Sequence, residues 1–316
     1  MNHLPDINII VPLYNEIENF NILTERLISI VNKSSFKIEV ILVDDGSTDG
    51  STEKIRELAL KNENFHGIFL SRNFGQQVAN TAGLMFSNAK DGVLIIDGDL
   101  QDPPEMIDQF YSLYKEGYDV VYAVRHSRKG SLFYKLAYYL FYRIMRRFSY
   151  ITIPLDSGDF SLLSRRVVDH INSMPEESRF LRGMRAWVGF KQIGLSYERE
   201  DRAKGSSKYN LLKLISLALN GIFNFSKYPI RFSMFLGLIS FCISLVYFIL
   251  TLIKKIFIGD VPTGFTAILF AVIMFGGLQL IAIGIIGEYI LRIFFQVKNR
   301  PLFIVKERIQ NGKKVS

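Results

Sequence analysis

Two long apolar segments near the C-terminus constrain the fold of this chain more than any other feature. The first runs from Phe232 to Ile253 and the second from Val261 to Gly287, and neither contains Asp, Glu, Lys or Arg. A helix of about 20 apolar residues can cross the hydrocarbon core of a bilayer, which is roughly 30 Å thick. The sequence therefore predicts transmembrane helices at 232–254 and 265–290, joined by an extracytoplasmic loop at 255–264.

Basic residues around these segments predict their orientation. Seven flank the two segments on the outside, whereas Lys254 and Lys255 are the only ones between them. By the positive-inside rule, the N-terminal domain and a basic tail at 291–316 are cytoplasmic, and no signal peptide is expected. We expect an integral inner or plasma membrane protein that contacts membrane lipid and has no nucleic acid partner. The flanking residues are Lys227, Arg231, Arg292, Lys298, Arg300, Lys306 and Arg308.

Residues 1–210 alternate between short apolar segments and amphipathic ones. This alternation predicts an α/β domain with a mostly parallel central sheet, whose ligands bind beyond the carboxyl ends of the strands. The predicted strands are Ile7–Pro12, Glu39–Val43, His66–Leu70 and Val93–Ile96. The predicted helices between them are Asn19–Val31, Ser51–Lys61 and Gln76–Ser87.

An oxygen-rich motif, Asp97-Gly98-Asp99-Leu100-Gln101-Asp102, follows the fourth predicted strand. Magnesium and manganese favour oxygen ligands and are commonly shared between one or two carboxylates and the phosphates of a substrate. A polar loop that caps the next helix is the alternative interpretation. Pro103 and Pro104 end the strand in either case.

Four motifs in this order resemble family 2 inverting glycosyltransferases, which have the nucleotide-diphosphosugar (GT-A) fold. They are Val11–Glu16, Val43–Asp49, Ser71–Gly75 and Asp97–Asp102. Ser157–Phe160, Arg202–Lys208 and the paired apolar segments are similar to the polyprenyl-phosphate branch of that family, especially to bactoprenol glucosyltransferases and their relatives, the dolichyl-phosphate mannose synthases. The resemblance covers nearly the whole chain and implies a GT-A catalytic domain followed by two transmembrane helices.

The resemblance implies roles for several residues in binding a nucleotide sugar. Asp99 is the first candidate for a metal ligand and a catalytic residue, because the negative charge that develops on the leaving diphosphate must be neutralised. Gln101 is the second metal ligand. The donor-binding candidates are Pro12, Tyr14, Glu16, Asp44, Asp45, Arg72, Asn73 and Asp97.

Alternatives remain for some of these residues. Asp44 and Asp45 either contact the nucleobase or belong to a turn, for which Asp, Gly and Ser are suited. Arg72 and Asn73 either contact the donor or cap the helix that begins near Gly75. Asp97 is placed nearer the ribose or the water shell of the metal.

Asp159 is the candidate catalytic base, with Asp156 as the less favoured alternative. A lipid phosphate has a second pKa near 6 and is already mostly dianionic at neutral pH, so it needs little deprotonation. We therefore predict that Asp159 mainly positions the acceptor or completes the electrostatic environment of the site.

Basic and hydroxyl residues provide candidates for the acceptor phosphate. A flexible glycine among such donors is suited to gripping phosphates, although a solvated basic loop has the same composition. The candidates are Arg125, Arg202, Ser206, Ser207 and Lys208.

Further segments suggest contacts with lipid and with other subunits. Residues 131–150 resemble an interfacial amphipathic helix and 211–231 a juxtamembrane helix, with packing against the sheet as the alternative. The segment Pro301–Val305 has strand character. It either pairs with the sheet of a neighbouring subunit, which would make a homo-oligomer, or packs on its own domain.

The most favoured function is an inverting transfer of a hexose, glucose from UDP-glucose, onto undecaprenyl phosphate at the cytoplasmic membrane face. The product is a β-linked polyprenyl-phosphate sugar, and the cofactor is Mg²⁺ or Mn²⁺. Donors such as GDP-mannose or a UDP-aminoarabinose type are the alternatives with the same chemistry. A membrane-anchored sugar-nucleotide binding protein without catalysis is the alternative from another class. A transporter is disfavoured because neither segment contains Asp, Glu, Lys, Arg or His.

Overall fold

The computed structural model describes residues 4–125, 157–197, 228–257 and 264–315. The chain divides into two compact units. One unit contains the described residues up to Tyr197 together with those from Arg300 onward, and the other contains the two apolar helices.

One sheet forms the centre of the first unit, with nine strands among the described residues. Its spatial order is β7-β5-β6-β4-β1-β2-β3-β8-β9. The strands are β1 (Ile7–Leu13), β2 (Ile38–Asp44), β3 (Phe65–Leu70), β4 (Gly92–Ile95), β5 (Val120–Arg125), β6 (Ser157–Ser164), β7 (Gln192–Tyr197), β8 (Val305–Gln310) and β9 (Lys313–Val315).

The middle of the sheet is parallel. Strands β3, β2, β1 and β4 are neighbours in that order and run in one direction, and all their residues are buried. Because both faces of these strands are buried, their sequences are almost uninterrupted runs of apolar residues. Outside this centre β6 and β8 run antiparallel to their neighbours, while β7 is parallel to β5. The α/β prediction is confirmed.

Helices cover both faces of the sheet. Apolar side chains of α1, α2 and α4 belong to one buried cluster, and those of α3, α5 and α6 belong to another. A short 3₁₀ turn at Pro104–Met106 precedes α4. The helices are α1 (Ile17–Lys33), α2 (Ser51–Lys61), α3 (Gln76–Phe86), α4 (Ile107–Lys115), α5 (Arg165–Ser173) and α6 (Leu181–Val188).

The second unit contains α7 (Tyr228–Phe257) and α8 (Phe265–Lys298). Among the described residues these are the two helices that are long and apolar enough to cross a membrane. Both helices extend beyond the boundaries read from the apolar segments: α7 starts within 211–231 and ends within 255–264, and α8 passes residue 290. Lys, Glu and Arg have high helix propensity, so a helix can continue where the apolar segment stops. Glu288 and Arg292 pair at 2.9 Å across the predicted end of this helix at residue 290.

The C-terminal residues complete the sheet of their own chain. The strand predicted at Pro301–Val305 begins at Val305, and β8 pairs antiparallel with β3. Ser71 also donates its N–H to the carbonyl of Ile304, at 2.9 Å. An unpaired strand edge exposes N–H and C=O groups that need partners, and β8 supplies them for β3. Of the two alternatives for this strand, packing on its own domain is therefore the one observed in this chain. A homo-oligomer stays a prediction.

Candidate active site

Hydrogen bonds tie together the loops that follow β1 and β2. The side-chain oxygen of Asn15 accepts the N–H of Thr48 at 2.8 Å, and the N–H of Asn15 donates to Ser47 Oγ at 3.0 Å. Ile17 N–H donates to Asp49 Oδ2, also at 3.0 Å. Asn15 has a left-handed φ of 54°, which Asn tolerates better than most residues. The two loops therefore form one ordered edge at the carboxyl ends of the strands.

Asp44 is buried at the end of β2 and holds the turn that leads into α2. Its Oδ1 accepts the N–H of Ser47 at 3.0 Å, and its Oδ2 accepts the hydroxyl of Thr52 at 2.6 Å. The turn alternative considered for this motif is thus part of the structure. Contact between Asp44 and a nucleobase stays a prediction.

Asp45 links this turn to the loop that follows β3. Its two oxygens accept the backbone N–H groups of Phe74 at 2.7 Å and Gly75 at 2.9 Å. Burial raises the pKa of Asp45, although these two donors oppose the effect. Gly46 lies against the same loop: a Cβ there would be 2.6 Å from the carbonyl carbon of Arg72 and 2.7 Å from the nitrogen of Asn73. The two loops meet backbone to backbone, which requires glycine at this position.

The side chains of Arg72 and Asn73 are exposed beside this contact. The guanidinium of Arg72 lies over the ring of Phe74, 4.6 Å from its centroid. Of the remaining donor candidates, Pro12 is buried in β1 and Tyr14 is exposed, while Glu16 accepts a hydrogen bond from Asn19 at 2.9 Å. Their contacts with a donor stay predictions.

Asp97 begins the oxygen-rich loop after β4. Its Oδ1 accepts a hydrogen bond from the side chain of Gln76, at 2.6 Å. Burial raises the pKa of Asp97 to about 8, with further contributions from the charges of Asp102, Asp159 and Asp99. Burial and the neighbouring carboxylates thus both oppose the ionisation of Asp97.

The turn from Asp99 to Gln101 has an unusual backbone. Leu100 has a φ of +61°, a left-handed conformation that costs an L-residue about 1–2 kcal/mol, and its side chain is buried in the core. Gln101 donates its N–H to Asp99 Oδ1 at 3.2 Å, and Asp102 accepts the hydroxyl of Tyr197. Core packing of Leu100 thus holds the polar residues on both sides of it at the sheet edge.

The same loop fits a divalent cation by the type of its donors. Asp99 and Gln101 offer a carboxylate and an amide oxygen, and Asp97 and Asp102 add two further carboxylates to the same loop. Among the residues that the structure describes, no group of three His, Cys, Asp or Glu side chains could enclose a metal alone. A cation held by Asp99 and Gln101 would have coordination positions open for water or for the oxygens of a bound ligand, such as a diphosphate.

Asp159 lies on β6 and is engaged by two neighbouring helices. Arg182 of α6 donates to both of its oxygens, at 2.7 and 3.3 Å, and Gln77 of α3 donates to Oδ2 at 2.8 Å. Burial alone would raise the pKa of Asp159, but the charge of Arg182 and its hydrogen bonds outweigh burial and lower the pKa. An ion-paired carboxylate of low pKa is a weak proton acceptor, which favours the positioning role over the base role.

Four residues of this arrangement have no sequence signal that marks them. Gln76 and Gln77 begin α3 and each donates to one carboxylate of the site, Asp97 or Asp159. Arg182 and Arg185 are one turn apart on α6, and this spacing shows only that they share a helix face. Arg185 is buried, and burial lowers its pKa to about 10.

Several predicted residues and segments cannot be placed. Arg125 ends β5, where its backbone pairs with that of Tyr197. The other acceptor candidates, the alternative acid and both predicted amphipathic segments lie outside the described residues, apart from the start of α7. They are Asp156, Arg202, Ser206, Ser207, Lys208, residues 131–150 and residues 211–227.

The raised pKa of Asp97 predicts how the stability of the metal-free protein depends on pH. The folded protein keeps a proton on Asp97 that the unfolded chain releases above its ordinary pKa of 3.8. The free energy of unfolding should therefore fall as the pH rises from about 4 to about 8 and then level off. Thermal melting in detergent should show this decline, and added Mn²⁺ should raise the melting temperature more at pH 8.5 than at pH 6. Asp97→Asn should flatten both trends, and an unchanged slope in that variant would contradict the assignment.

The comparisons with known proteins agree on one family. The model of "Glycosyl transferase family 2" matches residues 8–171. An uncharacterized glycosyltransferase of Synechocystis is 40% identical over 304 residues, covering 96% of this chain and 95% of that protein. The bactoprenol glucosyl transferase of Shigella phage SfII is 36% identical over 303 residues, covering 95% and 97%.

A solved structure is also similar at lower identity. It is glucosyl-3-phosphoglycerate synthase from Mycobacterium tuberculosis, crystallised with Mn²⁺, UDP and glucosyl-3-phosphoglycerate. It is 18% identical, with a TM-score of 0.43, over 69% of this chain and 78% of the other.

Proposed function

Since the chain belongs to glycosyltransferase family 2, we propose that it transfers a hexose, glucose from UDP-glucose, to undecaprenyl phosphate with inversion at the anomeric carbon. The observation that carries this proposal is the group of carboxylates at the strand ends, in which Gln76 donates to Asp97 at 2.6 Å and Arg182 pairs with Asp159 at 2.7 Å. The name of the Shigella phage relative, 36% identical over nearly the full chain, supports a polyprenyl phosphate as the acceptor.

The donor side of the reaction is assigned to the loops after β1, β2 and β4. Departure of the nucleoside diphosphate leaves negative charge on its phosphates, and Asp99 and Gln101 would hold Mg²⁺ or Mn²⁺ next to them. When bound, the cation supplies positive charge that stabilises the leaving group. Gln76 fixes Asp97 by a 2.6 Å hydrogen bond, which keeps the first carboxylate of the loop in place for the ribose or for water on the cation.

The acceptor side is assigned to β6 and α6. Asp159 is held by Gln77 and Arg182, so its carboxylate has a fixed position at the edge where the sugar would lie. A phosphate monoester is mostly dianionic at neutral pH and attacks without losing a proton. Asp159 therefore orients the reactants, and no proton transfer to it is required.

The two apolar helices are assigned as a membrane hairpin with the catalytic domain in the cytoplasm. Residues before α7 and residues after α8 contribute strands to one sheet, which supports a chain that enters and leaves the membrane on the same side. The excess of Lys and Arg outside the hairpin supports the cytoplasmic side. This arrangement keeps a long polyprenyl chain in lipid while its phosphate reaches the donor.

One assay tests the function. Purified full-length protein in detergent is incubated with undecaprenyl phosphate, Mg²⁺ or Mn²⁺, and a panel of labelled nucleotide sugars. We expect the glucose label of UDP-glucose to enter the lipid phase, with UDP released only when undecaprenyl phosphate and a cation are both present. If label from GDP-mannose or from a UDP-aminoarabinose donor enters the lipid phase instead, the assigned sugar is wrong. If the donor binds but no nucleoside diphosphate is released, the protein is not a catalyst.

A further inference from the structure

Arg182 has no part in the donor chemistry described above, yet its guanidinium makes two hydrogen bonds to Asp159. Its side chain is 25% exposed, so solvent and ligands can reach it. Arg185, one turn along α6, is buried: it donates to the carbonyl of Gly158 at 3.4 Å and lies over the ring of Tyr122. Of the two arginines, Arg182 is therefore the one that can also contact a substrate.

A contact between Arg182 and the acceptor would balance the negative charge of the acceptor. The site already holds several carboxylates, and the donor adds a diphosphate. A phosphate monoester brings almost two further negative charges at neutral pH, and these must be balanced where the reacting groups meet. A hydroxyl acceptor has the opposite need, since it carries no charge and must lose a proton to a base.

The environment of Asp159 suits the first kind of acceptor and not the second. Both oxygens of Asp159 accept hydrogen bonds from Arg182, and one also accepts from Gln77. Without Arg182 the carboxylate would repel an anionic acceptor and would be better able to take a proton. A guanidinium has five N–H donors in a rigid fork, so one arginine can bind a carboxylate and a phosphate together.

We propose that Arg182 is a specificity-determining residue that selects a phosphate monoester over a hydroxyl acceptor, by binding the acceptor phosphate while it stays paired with Asp159. This inference rests on the proposed function, since it assumes that the site transfers a sugar to a lipid phosphate. It adds a residue of α6 to the acceptor candidates read from the sequence.

Steady-state kinetics of the full-length protein test this role, with UDP-glucose and undecaprenyl phosphate varied separately. Arg182→Gln should raise the KM for undecaprenyl phosphate about 10-fold or more, the usual effect of losing a charged hydrogen bond, and change the KM for UDP-glucose less than about twofold. Arg182→Lys keeps the charge but loses the fork, and should raise the acceptor KM by a smaller factor. Arg165→Gln is the matched control, because Arg165 is also 25% exposed and pairs with Asp169 at 2.7 Å on α5.

The possible results distinguish a failure of this inference from a failure of the proposed function. If wild-type protein transfers glucose but the acceptor KM is the same in Arg182→Gln, with only kcat reduced, Arg182 merely holds Asp159 and the inference is wrong. An equal rise in both KM values would also overturn it. If Arg182→Gln does not fold, Arg182→Lys decides, and an unchanged acceptor KM there rejects the role. Wild-type protein that transfers no sugar to undecaprenyl phosphate rejects the proposed function, and this inference with it.

Discussion

Replacing Asp99 by asparagine should lower turnover about 100-fold or more, because the side chain would then lose the charge that is proposed to hold a cation against the leaving diphosphate. Asparagine has nearly the same shape as aspartate, so the Asp99 to Gln101 turn should persist and the melting temperature of the metal-free protein should change little. The measurement is the initial rate of UDP release with undecaprenyl phosphate, at several concentrations of Mn²⁺ and Mg²⁺.

Asp108→Asn is the control for this experiment. Asp108 is an exposed carboxylate in the first turn of α4, nine residues beyond Asp99, and its replacement should leave turnover unchanged. If Asp99→Asn retains near-normal turnover and the same metal dependence as the wild type, the assignment of Asp99 as the metal ligand is wrong.

Substitution of Gly46 by alanine should have the largest effect on stability. Gly46 has a φ of +74°, and an added Cβ would lie 2.6 and 2.7 Å from backbone atoms of Arg72 and Asn73, which cannot move aside as a side chain can. Left-handed strain and displacement of this loop should together cost about 3–5 kcal/mol. The expected result is a melting temperature lower by about 10 °C, measured by thermal unfolding in detergent.

Gly117→Ala distinguishes the cost of a left-handed backbone from the cost of a steric clash. Gly117 has a φ of +92°, but a Cβ there would meet nothing within 4 Å, so this variant carries only the conformational cost of about 1–2 kcal/mol. Gly46→Ala should also weaken binding of UDP-glucose, since the displaced loops are those to which donor binding is assigned under the proposed function, whereas Gly117→Ala should not. Equal melting temperatures for the two variants would mean that the contact between the loops is not rigid.

The central strands and their helices were predictable from sequence. The sequence boundaries of the first four strands and of α1 to α3 agree with the structure within two residues, and the match to family 2 confirms the resemblance carried by the four motifs. These elements are apolar on the sides that face the core, so their periodicity follows directly from burial. β8 was placed too early because this strand, Val305–Gln310, buries little more than Ile309 and carries charges elsewhere, so it has no apolar segment that marks it.

The site was predictable where the residues end a strand, and not where helices bring side chains to it. Asp97 and Asp99 follow a strand in sequence, so their place at the sheet edge could be inferred. The contacts of Asp159 with Gln77 and Arg182 join residues 82 and 23 positions apart, through the packing of α3 and α6. Local sequence contains no information on which polar side chains such packing brings together.

The pairing of β8 with β3 also sets an order of events during synthesis. The N–H of Asn311 donates to the ring of His66, 245 residues earlier in the chain. At about 5–20 residues per second, the ribosome needs roughly 10–50 s to make that interval, and both apolar helices emerge within it. The catalytic sheet is therefore closed only after the hairpin has left the ribosome, so a chain that stops short of residue 305 keeps an open edge that can pair with other chains.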